Sequence, residues 1–462
     1  MEMGDSYYEK ASFVPVRGSY DVIVAGGGTA GLACAIAAAR EGARTLVVDR
    51  LSILGGQFTN GIMGLFNALG DREQVVVRGI ALELINDLQK QGAVCNTDFA
   101  KAQFIAYDPE AAKQLVNEKV MELDNLDVLY ETWISGPLME EDRVAGILVE
   151  NKNGRSAYKA SCVVDCTADA DLVFRAGGDC YIVKPSDSHP VSLLTKLSGI
   201  DQVSMFRYYA SHPSDTNNFP PSAEWMPGMF HKYGISPELA ATDLPEKLEY
   251  LRNWYIVLYE TPHYGEMCLN MTGAMHVDAT NSDDVSRALC ESRQRIGECL
   301  EVMKQVMPGF QNAYISATSA LLGVRESRQI DGWYTLTRDD LLSCRRQSDA
   351  VCTLSAPIGV HTPDGSGVRF VTPEPGCSFD IPLRCLIPKK LNGIMVAGRC
   401  LSATHEAMGA ARVMSGCMCM GQAAGIVAAW SARTGKEAST VGHEELKSML
   451  LNQNVFLKPE KV

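Results

Sequence analysis

No CxxC pair occurs in this 462-residue chain, although it holds 15 cysteines. Zinc and iron–sulfur centres ordinarily need such tight clusters or mixed Cys/His sets, so the sequence argues against a metal site. Pairs such as Cys162/Cys166 and Cys417/Cys419 lie in apolar segments, where cysteine behaves as a small hydrophobe. The expectation is that all the thiols are reduced and structural. A dense Lys/Arg run is lacking as well. With 42 basic against 55 acidic residues the net charge is −13, which weighs against nucleic acid as a partner. The first twenty residues lack the apolar core of a signal peptide, so they read as a short disordered leader on a cytoplasmic protein. The nearest approach to a membrane span is VMSGCMCMGQAAGIVAAWSA, 413–432, which carries three glycines and Gln422. A buried helix fits it better than a span, and no membrane partner is expected. Internal repeats and low-complexity tracts are absent too.

What is present begins with YDVIVAGGGTAGLACAIAAAREGARTLVVDR. Tyr20 to Ala25 is a β-branched apolar run that predicts a buried parallel strand. Leu32 to Arg40 predicts a helix, and Thr45 to Asp49 a second strand. Between them Gly26, Gly28 and Gly31 satisfy GxGxxG, and Asp49 follows 18 residues after Gly31. In that setting the first glycine permits a tight turn, the second lets a pyrophosphate approach the backbone, and the third allows close helix–strand packing. The acid at the end of the second strand suits a ribose hydroxyl. These residues predict a dinucleotide site, with NAD and FAD both open on this motif alone.

Further elements are a helix over 108–123, strands near 128–130 and 143–151, a buried strand SCVVDCT over 161–167, a helix over 283–306 and a short strand over 332–337. Residues 361–379, dense in Pro and Gly, predict a loop, and GIMVA at 393–397 restores a buried-strand signature. The stretch 211–244 is rich in Pro, Ser, aromatics and Met with weak periodicity. The chain therefore leaves a nucleotide-binding sheet and returns to it. We read a leader at 1–18, a first part of the nucleotide-binding domain at 19–182 and an inserted α+β substrate domain at 183–380. The second part follows at 381–435, with a tail at 436–462.

In order, the glycine motif, LSILGGQFTNG, VVDCTADADL, GVRESRQIDGWYTLTRDDL and the block from IPLRCLIPKK through AGRCLSATHEAMGAARVMSGCMCMGQAAG closely resemble the FAD-dependent oxidoreductase family. That family is related to the succinate dehydrogenase and fumarate reductase flavoproteins, and the likeness runs from about Tyr20 to Ala429. It implies an α/β fold with a Rossmann-like FAD domain of the glutathione reductase or fumarate reductase type. FAD would lie against Gly26, Gly28, Thr29, Ala30, Gly31, Asp49 and Arg50, then Gly55, Gly56 and Gln57 of the paired-glycine segment, then Thr167, Ala168 and Asp169. Gly398 and Arg399 would sit beside the pyrophosphate or ribityl chain. A helix beginning near Gly409, with Ala410 and Ala411, would aim its N–H groups at the flavin N1/C2 carbonyl, where reduced flavin is anionic. Two departures from the family stand out. Ala168 replaces a usual glycine, and LSILGGQFTNG has neither His nor Cys, so the flavin is expected to be non-covalent.

The same resemblance implies hydride transfer between a small organic substrate and flavin N5. Of eight histidines, His405, next to Glu406 in the flavin-facing block, and His361, in PIGVHTPDG, are the acid/base candidates. His189, His212, His231, His263, His276 and His443 have weaker context. Arg325 of the RESR element could orient an anionic substrate, or the element could serve as an internal ion pair joining the insert to the sheet. Arg412 in GAARVM is either a phosphate or flavin contact or a helix-packing residue. The alternatives are an NAD(P)H-dependent reductase or monooxygenase, or the flavoprotein subunit of a complex with an electron-transfer partner. A second glycine motif for a separate nicotinamide domain is missing.

Overall fold

The computed structural model describes residues 12–95, 98–211, 232–234, 243–253, 255–362, 364–365 and 367–458. Most of the leader and most of 211–244, with His212 and His231, lie outside the described residues. The first strand, Val16–Ala25, is buried over its last four residues and pairs in parallel with Thr45–Val48 on one side and Gly154–Asp165 on the other. Leu126–Leu129 extends the parallel part, while Arg143–Asn151 and Trp133–Glu140 add an antiparallel pair. Ile394–Val396 returns to lie parallel beside Val163–Asp165. The fold is thus α/β around a mixed sheet.

Two helices cover the glycine end of this sheet, and small residues explain how closely they pack. Thr29–Arg40 is buried from Ala30 to Ala39, and Met414–Thr434 from Met414 to Ser431. A methyl on Gly421 would overlap the Ala30 carbonyl oxygen, and one on Gly425 the Cys34 carbonyl oxygen. No single helix among the described residues is long and apolar enough to cross a membrane. The segment 405–434 is a pair of helices bent by 85°. Gly421 and Gly425 of this segment serve contact with the helix Thr29–Arg40.

A second sheet is wholly antiparallel, in the order Lys232–Gly234, Ile256–Glu260, Glu266–Met271, Thr195–Ser198, Tyr314–Thr318. Helix Ser282–Val306, capped by Asn281, packs Ile296, Cys299, Leu300 and Met303 into a core separate from the first. Ile330, Leu336, Leu341, Val351 and Phe379 belong instead to the core of the nucleotide-binding sheet. Segment 330–380 therefore shares that core.

Some local expectations fail. Arg328–Ile330 forms the strand, paired with Cys180–Ile182, whereas 332–337 holds only isolated bridges, Gly332 to Pro388 and Leu336 to Ala403. The apolar run there is satisfied by neighbours on both sides without a ladder. The Pro/Gly-rich stretch is not all loop, because Ile358–His361 pairs with Val368–Val371.

The cysteine reading is also corrected. Cys344 and Cys377, 33 residues apart, form a disulfide, while the other thirteen cysteines are free. Sequence spacing could not show this, since Asp380 draws the two segments together by pairing with Arg346 at 2.7 Å and accepting from Gln347 N–H at 3.0 Å. Closing a loop of this length stabilises by up to about 4 kcal/mol through the unfolded chain. Urea unfolding with and without reductant is expected to show a stability loss within that bound, and no loss would mean that the pair is reduced in solution.

Candidate functional site

The glycine turn is built as its motif demands. Gly26 has φ +99°, and a methyl on Gly31 would overlap its carbonyl oxygen, so strand and helix touch at that point. Gly28 has open space, with nothing within 4 Å of where a Cβ would be. It precedes a helix with no side-chain cap, so the first N–H groups of Thr29–Arg40 face that space. Asp49 accepts from Gly27 N–H at 2.7 Å and Leu51 N–H at 2.8 Å, and burial raises its pKa. Arg50 points elsewhere, 5.8 Å over the Trp133 ring.

The paired-glycine loop folds directly over this turn. Gly55 N–H donates to Gly27 O at 2.8 Å, Thr29 Oγ1 donates to Gly55 O at 2.9 Å, and a Cβ on Gly56 would lie 2.9 Å from Gly28 Cα. Gln57 reaches Leu322 O at 3.4 Å. On the other side, Asp165 is buried and organises the CTADAD turn. It accepts from Thr167 Oγ1 at 2.6 Å and from Leu172 and Val173 N–H at 2.9 and 3.1 Å. Ala168 keeps a left-handed conformation, φ +73°, despite its side chain, at a cost of about 1–2 kcal/mol. Gly398 has φ +101°, and a Cβ added there would lie 3.2 Å from Ala30 Cβ. Arg399 pairs with Asp169 at 2.9 Å and donates to Ser327 Oγ at 2.7 Å. Gly26, Asp49, Thr167 and Gly398 thus follow the ends of four parallel strands, Val16–Ala25, Thr45–Val48, Gly154–Asp165 and Ile394–Val396, on the same side of the sheet.

The C-terminal block differs from expectation in one respect. Its helix starts at His405, capped by Thr404, and runs to Ala411; a second starts at Met414. Gly409 is inside the first helix and packs on the Gly359 backbone, 3.0 Å from its oxygen to the position of a Cβ. No helix begins at Gly409, because the Thr404 cap sets the start four residues earlier. Gly409, Ala410 and Ala411 are buried packing residues of this helix.

His405 does find a carboxylate, but not that of Glu406. Neighbours in a helix do not face each other; Glu326 accepts from His405 Nδ1 at 2.8 Å. The same buried Glu326 accepts from the backbone N–H of His189 at 2.8 Å. The RESR element is therefore not internally paired. Its side chains diverge: Glu326 toward the histidines, and Ser327 and Arg328 toward Asp169 and Asp171, so that the Arg328–Asp171 ion pair joins this element to the segment after the sheet strand Gly154–Asp165. His189 completes the cluster. Its ring stacks on His405 at 4.6 Å and 15°, stands edge-on to His361 at 5.6 Å, and accepts from His361 N–H through Nδ1 at 3.0 Å. Sequence reasoning missed His189 and the role of Glu326, which are 137 residues apart. The signal available was the acid inside RESR.

Electrostatics separate the two stacked rings. The Glu326 hydrogen bond raises His405, whereas burial, then the charges of Arg412, His405 and Arg325, push His189 far down. Burial thus favours the neutral His189 ring, while Glu326 favours the charged form of His405. The trio His189, Glu326 and His405 has its ligand atoms within 4.8 Å of one another, yet its geometry favours a proton network over a metal. Stacked rings send their in-plane lone pairs in parallel, and His189 Nδ1 already accepts, which puts the proton on Nε2.

A dinucleotide turn at the switch of a parallel sheet, joined to a carboxylate–histidine pair, defines a nucleotide-cofactor enzyme. The chain belongs to the FAD dependent oxidoreductase family, whose model matches residues 21–450. It is an oxidoreductase that uses FAD. Two curated relatives match locally. The tRNA uridine 5-carboxymethylaminomethyl modification enzyme MnmG of Protochlamydia amoebophila is 32% identical over 148 residues, 29% of this chain and 22% of that protein. NADH:fumarate oxidoreductase of Klebsiella pneumoniae is 37% identical over 106 residues, 22% of this chain and 11% of that protein. The matches thus span about a fifth and about a tenth of those relatives' lengths. Among solved structures, a geranylgeranyl bacteriochlorophyll reductase-like protein of Thermoplasma acidophilum has TM-score 0.48 at 12% identity, covering 95% of this chain and 84% of that one. The p-nitrophenol 4-monooxygenase PnpA of Pseudomonas putida has TM-score 0.47 at 12% identity, covering 94% and 84%.

Proposed function

We propose that this enzyme transfers a hydride between a small organic substrate and FAD, with His405 as the acid/base. The FAD domain is read as the glutathione reductase or fumarate reductase type with the flavin held non-covalently. The residues fit that cofactor. The uncapped helix and open space at Gly28 suit a pyrophosphate, Asp49 suits a ribose hydroxyl, and Asp169, Gly398 and Arg399 border the same end of the sheet. When bound, the flavin supplies the hydride acceptor and donor at N5.

One observation carries the acid/base assignment: His405 Nδ1 meets buried Glu326 at 2.8 Å, while the His405 side chain is still 31% exposed. With Nδ1–H given to Glu326, Nε2 is left to take or give the substrate proton. Glu326 fixes the tautomer and stabilises the imidazolium, and His189 holds the ring plane by stacking. His361 acts through its backbone, which orients His189.

The test is an anaerobic screen of small organic compounds for bleaching of the FAD-loaded protein, repeated with His405→Asn. Loss of about 10²-fold or more in the reduction rate is expected for the variant; an unchanged rate would remove His405 from the mechanism. Rapid bleaching by NADH or NADPH alone would favour the reductase or monooxygenase reading. Bleaching that requires a co-purified protein would favour a subunit of an electron-transfer complex.

A further inference from the structure

The helix His405–Ala411 lies between two arms of the chain, and one covalent bond ties those arms together. The first arm is 336–344. Leu336 O accepts from the N–H of Thr404, the cap of that helix, at 2.8 Å, and Leu336 N–H donates to Ser402 O at 3.0 Å. Thr337 and Asp340 form a capping box for the short helix Arg338–Leu342. Cys344 follows it in a left-handed conformation, φ +51°, with its N–H on Leu341 O at 3.2 Å. The second arm is the strand pair Ile358–His361 and Val368–Val371 with its return to Cys377. Gly359 of this arm packs on Gly409, and His361 N–H donates to His189 Nδ1 at 3.0 Å. The Cys344–Cys377 disulfide joins the two arms.

Packing holds the second arm weakly. Phe370 is 50% exposed and Val371 38%, so the outer strand buries little and belongs with the parts of a fold that open most readily. Polar contacts keep its return segment in place. Gly376 N–H donates to Asp71 O at 2.9 Å, and Arg72 and Lys458 donate to the carbonyl oxygens of Pro373 and Gly376. Beyond Cys377, Asp380 pairs with Arg346 at 2.7 Å. These contacts do not depend on the disulfide, so breaking it loosens the arm and leaves the fold standing. The bond is also reachable. Cys344 and Cys377 are half-buried, whereas the other thirteen cysteines are already free and, apart from Cys180 and Cys290, buried. A dithiol reductant therefore acts on one bond.

We infer that the Cys344–Cys377 disulfide is a redox-sensitive clamp on the His405 helix and His189, firm when oxidised and slackened by a dithiol. Its effect on rate rests on the hydride-transfer reading; the slackening does not. A thiolate of the reductant attacks one sulfur, the Cys344–Cys377 bond breaks and a mixed disulfide forms. The second thiol of the reductant resolves it, so two electrons and two protons pass to the cysteines and the reductant leaves as its own disulfide. With the tie cut, Gly359 packs on Gly409 less firmly and His361 N–H holds His189 Nδ1 for less of the time. The stacked rings lose their mutual position, and a misplacement of about 1 Å costs up to about 10²-fold in rate.

The experiment treats FAD-loaded protein with dithiothreitol, removes the reagent, and confirms by mass after alkylation that the disulfide has opened. Hydrogen exchange at the His361 amide and the rate of substrate-dependent flavin reduction are then compared with oxidised protein. His361 exchange is expected to speed up about 10-fold or more beyond any change at Val22–Ala25, which follow global stability, and the rate to fall about 10-fold. Oxidised dithiothreitol should restore both. The double variant Cys344→Ser, Cys377→Ser is expected to show the slackened values with or without reductant. Should it fail to fold, the cycle of opening and closing in the unaltered protein decides. Equal acceleration at His361 and Val22–Ala25 would make the disulfide a general stabiliser and overturn the clamp. So would protein that holds no disulfide even after oxidised dithiothreitol, or a His405-dependent rate that does not change when the bond opens. Selective loosening at His361 in a protein without any His405-dependent reaction would support the clamp and sink the hydride-transfer reading instead.

Discussion

Glu326→Gln is expected to lower the rate of substrate-dependent flavin reduction by about 10²- to 10⁴-fold while leaving the fold intact. The reason is directional. Oε1 of Glu326 accepts from His189 N–H and Oε2 from His405 Nδ1–H. A glutamine must keep its oxygen toward His189, because an amide NH2 there would face another N–H donor. Its NH2 then points at His405 Nδ1, which must become the acceptor, and the ring proton moves to Nε2. The atom needed as a base is now the one that is protonated. Nitrogen NMR of the labelled imidazole reports this change without any substrate, and an unchanged His405 tautomer would contradict the argument.

The pH dependence has a definite sign. Glu326 raises His405, so the stability that this pair contributes is complete below the ordinary histidine value. It is lost as pH rises through the raised one. Glu326→Gln removes that contribution. The difference in unfolding temperature between wild type and variant is therefore expected to be largest on the acid side and to shrink above neutrality. A difference that grows with pH would assign the raised group elsewhere.

The parts legible in the sequence were those governed by neighbours along the chain. The turn at Gly26–Gly31, strand Arg143–Asn151 and helix Ser282–Val306 all follow from local periodicity and glycine placement. The return of Ile394–Val396 to the first sheet was visible because a buried parallel strand has its own composition. The site proper was half legible. His405 stood out by its block, but its carboxylate partner Glu326 lies 79 residues away along the chain, where no local pattern points to it. His189 carries no pattern at all: its meaning arises only when segment 189–192 pairs with 323–326, through Ser192 and Gly323 and through Glu326. The Cys344–Cys377 pair was hidden for the same reason.

Two glycines of one motif are expected to fail differently when changed to alanine, and the contrast locates the cofactor. Gly28 has φ −65° and ψ −167°, an extended conformation open to alanine, and nothing within 4 Å of its missing Cβ. Gly28→Ala should therefore unfold within about 0.5 kcal/mol of wild type without cofactor. The added methyl would occupy the space into which the pyrophosphate comes, so FAD affinity should fall by roughly 5- to 150-fold, the equivalent of 1–3 kcal/mol of overlap. Gly31 is the opposite case. Its methyl would overlap the Gly26 carbonyl oxygen, with Cys166 Cβ at 3.3 Å closing the other side. Both obstacles are anchored, since Gly26 N–H is bonded to Val48 O at 2.9 Å and Cys166 N–H to Ala25 O at 2.8 Å. Strand and helix must separate, and Gly31→Ala should lose stability by about 1–3 kcal/mol or more even without FAD. Urea unfolding of cofactor-free protein and an FAD titration distinguish the two. If Gly28→Ala bound FAD as wild type does, the phosphates would not lie over this turn, and the cofactor would have to be placed elsewhere on the sheet.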